Sequence, residues 1–302
     1  MADILVRAGA FVGIILLGYL LRQFGLFRED DFKVLSKVVM KVTFPAAVVS
    51  SFAGRQIQRS MFVLMGLSFG CGVFYMLLAT LINLRKSKEQ RAFDILNLPG
   101  YNIGNFTMPF VQSFLGPTGV IATGIFDMGN AVITLGTAFG IASAVNSGVK
   151  FSVKRVLKAL SSSVPFITYA IMLVLSVFRV SLPGFVTEFA SIVGSANPFL
   201  AMFMIGVGFR MGGEKGQFAK IARLLLLRYG VAVIVALIFW FVLPFELEIR
   251  QALVILVFSP VGTAVPPFTG ELGGDVGLSS AYSSMSILVS VVITILLLGV
   301  IL

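Results

Sequence analysis

The segment PGYNIGNFTMPF, from Pro99 to Phe110, interrupts a stretch that otherwise has the composition of a membrane span. Pro99 and Pro109 each lack an amide hydrogen and clash with the preceding helical turn, so a continuous helix is not expected here. Asn102 and Asn105 would place polar side chains at the depth of the lipid tails. Opened backbone is tolerated in a bilayer only where protein buries it or where it lines a watery cavity. The segment therefore predicts a broken helix beside a cavity.

A second segment of the same kind, SPVGTAVPPF, runs from Ser259 to Phe268. Pro260 and Pro266 flank its polar part, which contains Gly262 and Thr263. Two interrupted spans at corresponding positions in the two halves of a chain indicate the binding site of a transporter. The simpler interpretation is a pair of ordinary proline kinks, which would give the costly asparagines no purpose.

The composition is that of an integral membrane protein. Of the 302 residues, 58% are hydrophobic and 12% are charged, and the mean hydropathy is +1.01. Ordinary soluble domains carry about 25% charged residues. At roughly 20 to 25 residues per span with short loops, this length predicts an all-α protein with ten transmembrane helices.

The residue counts exclude several classes of chemistry. The chain contains no histidine and one cysteine, which excludes histidine-based catalytic triads, histidine metal sites and histidine proton relays. Its glycine pairs lack the spacing of nucleotide-binding loops, so we expect no ATP-driven step. We also expect no cofactor, and no enzymatic activity, because the histidine and cysteine counts leave only serine-based chemistry. The formal net charge of +10 would suggest nucleic acid as the partner of a soluble protein. Here the basic residues lie between apolar runs and are typical of topology signals.

The order of the prolines indicates an internal repeat. Pro45 in the second span recurs as Pro198, and Pro109 in the fourth span recurs as Pro267, at offsets of 153 and 158 residues. Five spans in each half is an odd number, so the second half must enter the membrane from the opposite side. We therefore expect an inverted repeat, with a pseudo-two-fold axis in the membrane plane.

The distribution of basic residues predicts the orientation. The loops after spans one, three, five and seven hold fifteen of them, and the loops after spans two, four, six and eight hold four. Positively charged loops stay in the cytoplasm, so the first set is cytoplasmic and both termini lie outside. The fifteen are Arg22, Arg28, Lys33, Arg85, Lys86, Lys88, Arg91, Lys150, Lys154, Arg155, Lys158, Arg210, Lys215, Lys220 and Arg223; the four are Arg55, Arg59, Arg179 and Arg250.

The broken helices favour an anionic substrate. If both cross near the midplane, their half-helix amino-terminal ends direct partial positive charge at the centre, where freed N–H groups can hold a carboxylate. The predicted substrate-binding residues are Asn102, Gly104, Asn105, Gly262 and Thr263, and the prolines that open the two helices are Pro99, Pro109, Pro260 and Pro266.

Asp127 is the one carboxyl group clearly deep within an apolar span, and Asn130 lies one helical turn further on. Asp127 could carry a proton, or it could bind Na⁺ together with Asn130 and freed carbonyl groups. Alternatively, it is paired with Lys41 or capped by a hydroxyl group and has a structural role. Lys41 has two interpretations of its own, which are snorkelling towards the headgroups and attraction of an anion. Apart from this Na⁺, no metal site is predicted.

Three other charged residues are expected near the ends of the apolar runs. Asp94 and Glu271 lie nearer the membrane interfaces and should be solvated. Arg228 should snorkel from the end of the eighth span to the membrane surface.

The whole chain resembles a prokaryotic member of the auxin efflux carrier family, which is similar in organisation to the plant PIN auxin exporters and to bacterial malonate and malate carriers. The resemblance is carried by LPGYNIGNFTMPF at Leu98 to Phe110, DMGNAV at Asp127 to Val132, Asn197–Pro198 with the GVG at Gly206 to Gly208, and SPVGTAVPPF. It implies ten helices in a five-plus-five inverted repeat, a crossover of broken helices four and nine, and elevator-type movement. The chain lacks the long central loop of the canal-forming plant proteins.

The repeat and the resemblance together divide the chain into residues 1–147, with spans one to five, and residues 148–302, with spans six to ten. Spans one, two, six and seven would form the scaffold, and spans three to five and eight to ten the mobile transport core.

We therefore expect a secondary transporter for small organic anions, auxin-like or dicarboxylate, in the inner (plasma) membrane. Its expected partners are the substrate, H⁺ or Na⁺ and the lipid bilayer, with a homodimer as a candidate assembly and no nucleic acid. The alternatives in the same broad fold are a Na⁺-coupled bile-acid-like symporter and a cation/proton antiporter similar to NhaA. An anion channel is a further alternative and would need a continuous polar pore.

Overall fold

A computed structural model describes residues 2–28, 30–209 and 216–302, with side chains from residue 6 onward. Every regular element in these ranges is helical. The sixteen α-helices are α1 (Ala2–Gln23), α2 (Asp31–Val38), α3 (Phe44–Phe52), α4 (Val63–Ile82), α5 (Lys88–Asn97), α6 (Met108–Phe114), α7 (Gly116–Val132), α8 (Ala138–Ser147), α9 (Val153–Ser161), α10 (Val164–Val177), α11 (Gly184–Ser195), α12 (Asn197–Gly208), α13 (Phe218–Phe241), α14 (Leu247–Val257), α15 (Val265–Glu271) and α16 (Val276–Ile301).

Short segments with other helical geometry join some of these helices. A π-helical segment, Val39–Thr43, connects α2 to α3, and a second one, Ile133–Thr137, connects α7 to α8. A third π-helical segment, Ile103–Thr107, leads directly into α6, and a 3-10 turn, Arg59–Phe62, precedes α4.

Six helical stretches of the described chain are long and apolar enough to cross a membrane. The pair α9 and α10, which bends by 79°, makes seven if it is counted as one span. The chain is therefore an all-α, multi-pass membrane protein, as its composition predicts. The full count of ten spans stays a prediction. The six are Val6–Gln23, Arg59–Ile82, Gly116–Ser147, Gly184–Gly208, Phe218–Phe241 and Val276–Ile301.

Two further apolar segments are interrupted by non-helical backbone. The first break is residues 98–102, between α5 and the π-helical segment before α6, and the second break is residues 258–264, between α14 and α15. The flanking helices α5, α6, α14 and α15 have 10, 7, 11 and 7 residues, whereas a span needs about 20. The predicted interruptions are therefore present.

The prolines of these segments have two different positions. Pro99 and Pro260 lie within the breaks, whereas Pro109 and Pro266 lie in the first turns of α6 and α15. The first turn of a helix tolerates proline because its N–H groups have no intrahelical partner.

Close packing links helices that are distant in sequence. A Cβ atom on Gly206 of α12 would overlap the carbonyl group of Ile15 in α1, so only glycine permits this approach. At the start of α12, the hydroxyl of Thr43 donates to the Asn197 side-chain oxygen at 3.1 Å. Thr43 and Asn197 lie next to Pro45 and Pro198, the two prolines that the predicted repeat treats as equivalent. The regions around these prolines are therefore in direct contact.

The expectation that Asp94 is solvated is wrong. Its side chain is fully buried, accepts a hydrogen bond from Asn83 Nδ2 at 2.7 Å and forms an ion pair with Arg223. The reason is that Asp94 lies on the side of α5 that faces the end of α4 and α13, rather than at a free surface. Glu271, by contrast, is exposed and pairs with Arg155 at 2.9 Å.

Candidate functional site at the two breaks

The two breaks meet in the interior of the protein. The amide of Asn102 donates to the carbonyl oxygen of Pro260 at 2.9 Å, which joins the two breaks backbone to backbone. The hydroxyl groups of Thr107 and Ser259 form a short hydrogen bond beside this contact. Predicted site residues that are 158 positions apart in sequence, Asn105 and Thr263, approach each other at 3.5 Å between Nδ2 and Oγ1.

Asn130 of α7 supports the first break. Its side-chain oxygen accepts from the amide of Tyr101 at 2.9 Å, and its Nδ2 donates to the carbonyl oxygen of Tyr101 at 2.8 Å. These two bonds satisfy backbone groups that the missing helical turn leaves without partners. They also fix the orientation of the carboxamide, because a backbone N–H can only donate and a carbonyl can only accept.

Ser286 of α16 has the same function at the second break. Its hydroxyl oxygen accepts from the amide of Val261 at 3.1 Å and donates to the carbonyl oxygen of Ser283 at 2.7 Å. Each break is therefore supported by a polar side chain from the long helix that follows it in the chain.

Gly100 allows the first break to turn. Its φ is +82°, in the left-handed region that side chains other than glycine rarely adopt. A Cβ atom there would also overlap the Thr134 methyl group on the π-helical segment after α7. A substitution at Gly100 would therefore strain the backbone and push this segment away.

Arg228 does not snorkel, and that expectation is wrong. It lies in the middle of α13 and is fully buried. Its guanidinium donates to four carbonyl oxygens of the two breaks, and this coordination explains why the side chain turns inward. The acceptors and distances are Leu98 at 2.7 Å, Gly100 at 2.7 Å, Ser259 at 2.8 Å and Pro260 at 3.2 Å.

Two cavities adjoin the breaks on either side. The acidic cavity, of about 110 Å³, is named for Asp127 and is also lined by Gly104, Asn130, Tyr169 and Gly262. The hydroxyl cavity, of about 370 Å³, is named for three serines of α16, Ser280, Ser283 and Ser284. Asn102, Asn105 and Thr263 line both cavities.

Several polar groups between the cavities have no partner among the described residues. The carboxamide of Asn102 makes no hydrogen bond there, and the Asn105 side-chain oxygen is buried without one. The amides of Gly262 and Thr263 are also unbonded within the described chain. Thr263 is exposed, whereas Asn102, Asn105 and Gly262 are buried. Buried polar groups are normally paired, so the unpaired groups of these three residues mark a place where a ligand or water can bind. The structure thus brings together the five predicted substrate-binding residues.

Asp127 is half-buried and faces the acidic cavity. Its carboxylate accepts from Asn130 Nδ2 at 2.9 Å. Lys41 is exposed, lines neither cavity and forms no ion pair with Asp127. Within the described residues, no group of three or more acidic, cysteine or histidine side chains could hold a metal ion.

Sequence reasoning missed some residues of the site. Tyr169 on α10 and Met40 before α3 complete the acidic cavity, and neither has a distinctive sequence signal. Arg228 did have one, because it is a charge in the middle of a 24-residue apolar helix. Intramembrane charges of this kind are functional candidates by default.

Two comparisons with known proteins found matches for this chain. The sequence profile of the membrane transport protein family matches residues 10–302. An uncharacterized transporter of Methanocaldococcus jannaschii is 24% identical over 206 residues, which cover 64% of this chain and 65% of that protein. The match thus spans slightly less than two thirds of the relative's length.

Proposed function

Because the chain belongs to the membrane transport protein family, that of the auxin efflux carriers, we propose that it is a secondary transporter of small organic anions in the cytoplasmic membrane. One observation carries the anion assignment. The unpaired carboxamide of Asn102 lies between two cavities, with the unbonded amides of Gly262 and Thr263 nearby. N–H groups without partners favour a negatively charged ligand.

The helix ends add to this preference. The π-helical segment and α6 form one helical stretch from Ile103 to Phe114, and its first-turn N–H groups lack intrahelical partners. At the second break, Pro266 and Pro267 remove two N–H groups from the first turn of α15. The donors for an anion therefore come mainly from the first helical stretch, Asn102 and the amides of Gly262 and Thr263.

The hydroxyl cavity is the better candidate for the substrate. Its described lining contains serines, asparagines, prolines and apolar residues but no charged side chain. Its volume of about 370 Å³ is at the lower end of the range of roughly 300–1,000 Å³ for small-molecule pockets. A dicarboxylate or a small auxin-like aromatic acid would fit. The acidic cavity, of about 110 Å³, suits a few water molecules or an ion.

The proposed architecture is the ten-helix inverted repeat, with broken helices four and nine crossing and both termini outside. The offset from Asn130 to Ser286 is 156 residues and the offset from Tyr101 to Val261 is 160, close to those of the repeated prolines. The matching functions of these residue pairs support an equivalence of the two halves. Elevator movement of spans three to five and eight to ten remains part of the proposal.

A proton is a better coupling ion than Na⁺ in this proposal. The Asn130 oxygen already accepts from the amide of Tyr101, so Asn130 presents an N–H group to Asp127 rather than an oxygen. A hard cation such as Na⁺ needs oxygen ligands. Proton uptake and release by Asp127 at the acidic cavity would need no second oxygen ligand.

Ligand binding to purified variants tests the anion site. A panel of carboxylates, including malonate, malate and indole-3-acetate, would be screened by thermal shift, because a ligand stabilises the state that it binds. Asn102→Ala and Asn105→Ala should fold and weaken binding by about 1–3 kcal/mol, or roughly 5- to 150-fold in Kd. Asn102→Asp should weaken it further, because the added carboxylate repels an anion.

Asn146→Ala is the matched control, because Asn146 is half-buried and donates to the Leu272 carbonyl oxygen at 3.1 Å but lines neither cavity. Unchanged affinity in Asn102→Ala and Asn105→Ala would refute the site assignment. Tighter binding by Asn102→Asp would refute the anionic substrate.

A further inference from the structure

Arg228 is a buried cation without an anionic partner among the described residues. Its side chain has no exposed surface, and the ion pairs of the described chain are formed by other residues. Burying one charge alone is costly, and in a membrane no solvent is available to reduce the cost. Some other feature of the surroundings must stabilise the guanidinium.

Backbone carbonyl groups take the place of a carboxylate. Leu98 and Gly100 follow the end of α5, and Ser259 and Pro260 follow the end of α14. The last carbonyl groups of a helix lack intrahelical partners, and a helix C-terminus carries about half a negative charge. Two such ends pointing at one place therefore balance approximately one positive charge.

Aromatic rings also lie near the guanidinium. Its central carbon lies 5.2 Å from the ring centre of Tyr101 and 6.0 Å from that of Tyr75. The electron-rich face of such a ring attracts a cation. The hydroxyl of Tyr75 also donates to the carbonyl oxygen of Arg228 at 2.8 Å, which fixes α4 against α13 at this level.

Freed carbonyl groups and half-helix C-terminal ends are the groups that coordinate Na⁺ in many secondary transporters. We propose that the carbonyl groups of the two breaks form a cation site that this chain fills permanently with the guanidinium of Arg228, in place of a bound metal ion. One side chain then holds both breaks together whether or not Na⁺ is present. Arg228 is thus a positioning residue for Asn102. It holds the carbonyl groups of Gly100, two residues before Asn102, and of Pro260, which accepts from the Asn102 amide. This inference does not depend on which substrate is carried.

The first test is the thermal stability of the purified wild-type protein in three salts of equal ionic strength. The melting temperature should be the same in sodium, potassium and choline chloride, because the site is already occupied. A rise specific to Na⁺ would overturn the proposal.

The second test removes the guanidinium and returns it from solution. Arg228→Ala should melt several degrees below the wild type, since four carbonyl groups lose their donor. Guanidinium chloride, at a concentration too low to denature the wild type, should raise the melting temperature of Arg228→Ala. The matched control is Arg250→Ala, because Arg250 donates to a single carbonyl group, that of Trp240 at 2.9 Å. The absence of a rise specific to Arg228→Ala would overturn the proposal.

A second pair of variants keeps the test informative if Arg228→Ala does not fold. Arg228→Lys retains the positive charge, whereas Arg228→Met provides an apolar side chain of similar length. A cation site predicts that the lysine variant is the more stable of the two. If Arg228 only fills space, methionine should be equal or better, because apolar groups often replace buried charges without loss. That order of stability would refute the inference.

Discussion

Asn130→Ala should destabilise the protein by opening the first break further. The substitution removes the acceptor for the amide of Tyr101, at 2.9 Å, and the donor to its carbonyl oxygen, at 2.8 Å. It also removes the hydrogen bond that the carboxylate of Asp127 accepts from Asn130 Nδ2, at 2.9 Å. Asn130 is 4% exposed, so bulk water cannot readily replace these bonds.

Two estimates bound the size of this effect. In soluble proteins, leaving a buried donor or acceptor without a partner costs about 1–3 kcal/mol, so two groups would cost about 2–6 kcal/mol. In membrane proteins, side-chain hydrogen bonds average about 0.6 kcal/mol and reach about 1.7, because the unfolded state in the bilayer also finds partners. The second estimate suits this site better, since Asn130 links two segments at membrane depth. We therefore expect a loss of about 2 kcal/mol, which would lower the melting temperature by roughly 4 to 8 °C.

Thermal unfolding of purified variants measures this loss, with ligand affinity as a second readout. Asn146→Ala serves again as the control, because it removes one half-buried hydrogen bond away from the breaks, to Leu272 at 3.1 Å. Asn130→Asp should be at least as unstable as Asn130→Ala near neutral pH, since it cannot donate to Tyr101 and places a second carboxylate beside Asp127. If Asn130→Ala lost no more stability than Asn146→Ala and bound ligand normally, the idea that Asn130 stabilises the first break would be refuted.

Asp127→Asn should fold with nearly unchanged thermal stability and should still exchange substrate. In proteoliposomes it should no longer accumulate substrate in response to a proton gradient, because an amide cannot release a proton. A stable variant that accumulates substrate at the unmodified rate would show that Asp127 has no coupling role. For the orientation, a reporter enzyme that works only outside the cytoplasm should be active when fused after Leu302 and silent when fused at Ser147, before the basic residues that precede α10. The reverse pattern in cells would overturn the predicted topology. Two of the basic residues on which this prediction rests, Arg210 and Lys215, lie outside the described residues.

The positions of the two breaks could be predicted from sequence because the causes are local. A proline removes its own amide hydrogen and clashes with the turn before it, whatever surrounds it in the fold. The missing amide hydrogen also explains why two of the four prolines lie outside the breaks. Pro109 and Pro266 occupy the first turns of α6 and α15, where a proline is tolerated. The five predicted substrate-binding residues line one cavity, because they lie in the two breaks or directly after them in sequence. Their role in substrate binding stays a prediction.

The environment of each buried charge could not be predicted in the same way. A single arginine in an apolar helix can reach the membrane surface or turn inward, and the choice depends on partners elsewhere in the chain. For Arg228 the partners include carbonyl groups about 130 residues away in sequence, which no local pattern reveals. Asp94 presents the same problem, because its burial depends on Arg223, 129 residues further on.

The two breaks share a need for a hydrogen-bond acceptor, although different residue types supply it. Each break leaves a backbone amide without a helical partner. The long helix that follows supplies the acceptor, which is Asn130 for the amide of Tyr101 and Ser286 for the amide of Val261. An asparagine can both donate and accept across the break, whereas a serine hydroxyl reaches a single amide. The asymmetry leaves Asn130 with a hydrogen atom to donate to Asp127, and Ser286 uses its hydrogen on Ser283 instead. Among the described residues that line the two cavities, Asp127 is the one carboxylate, and we therefore propose that it carries the proton.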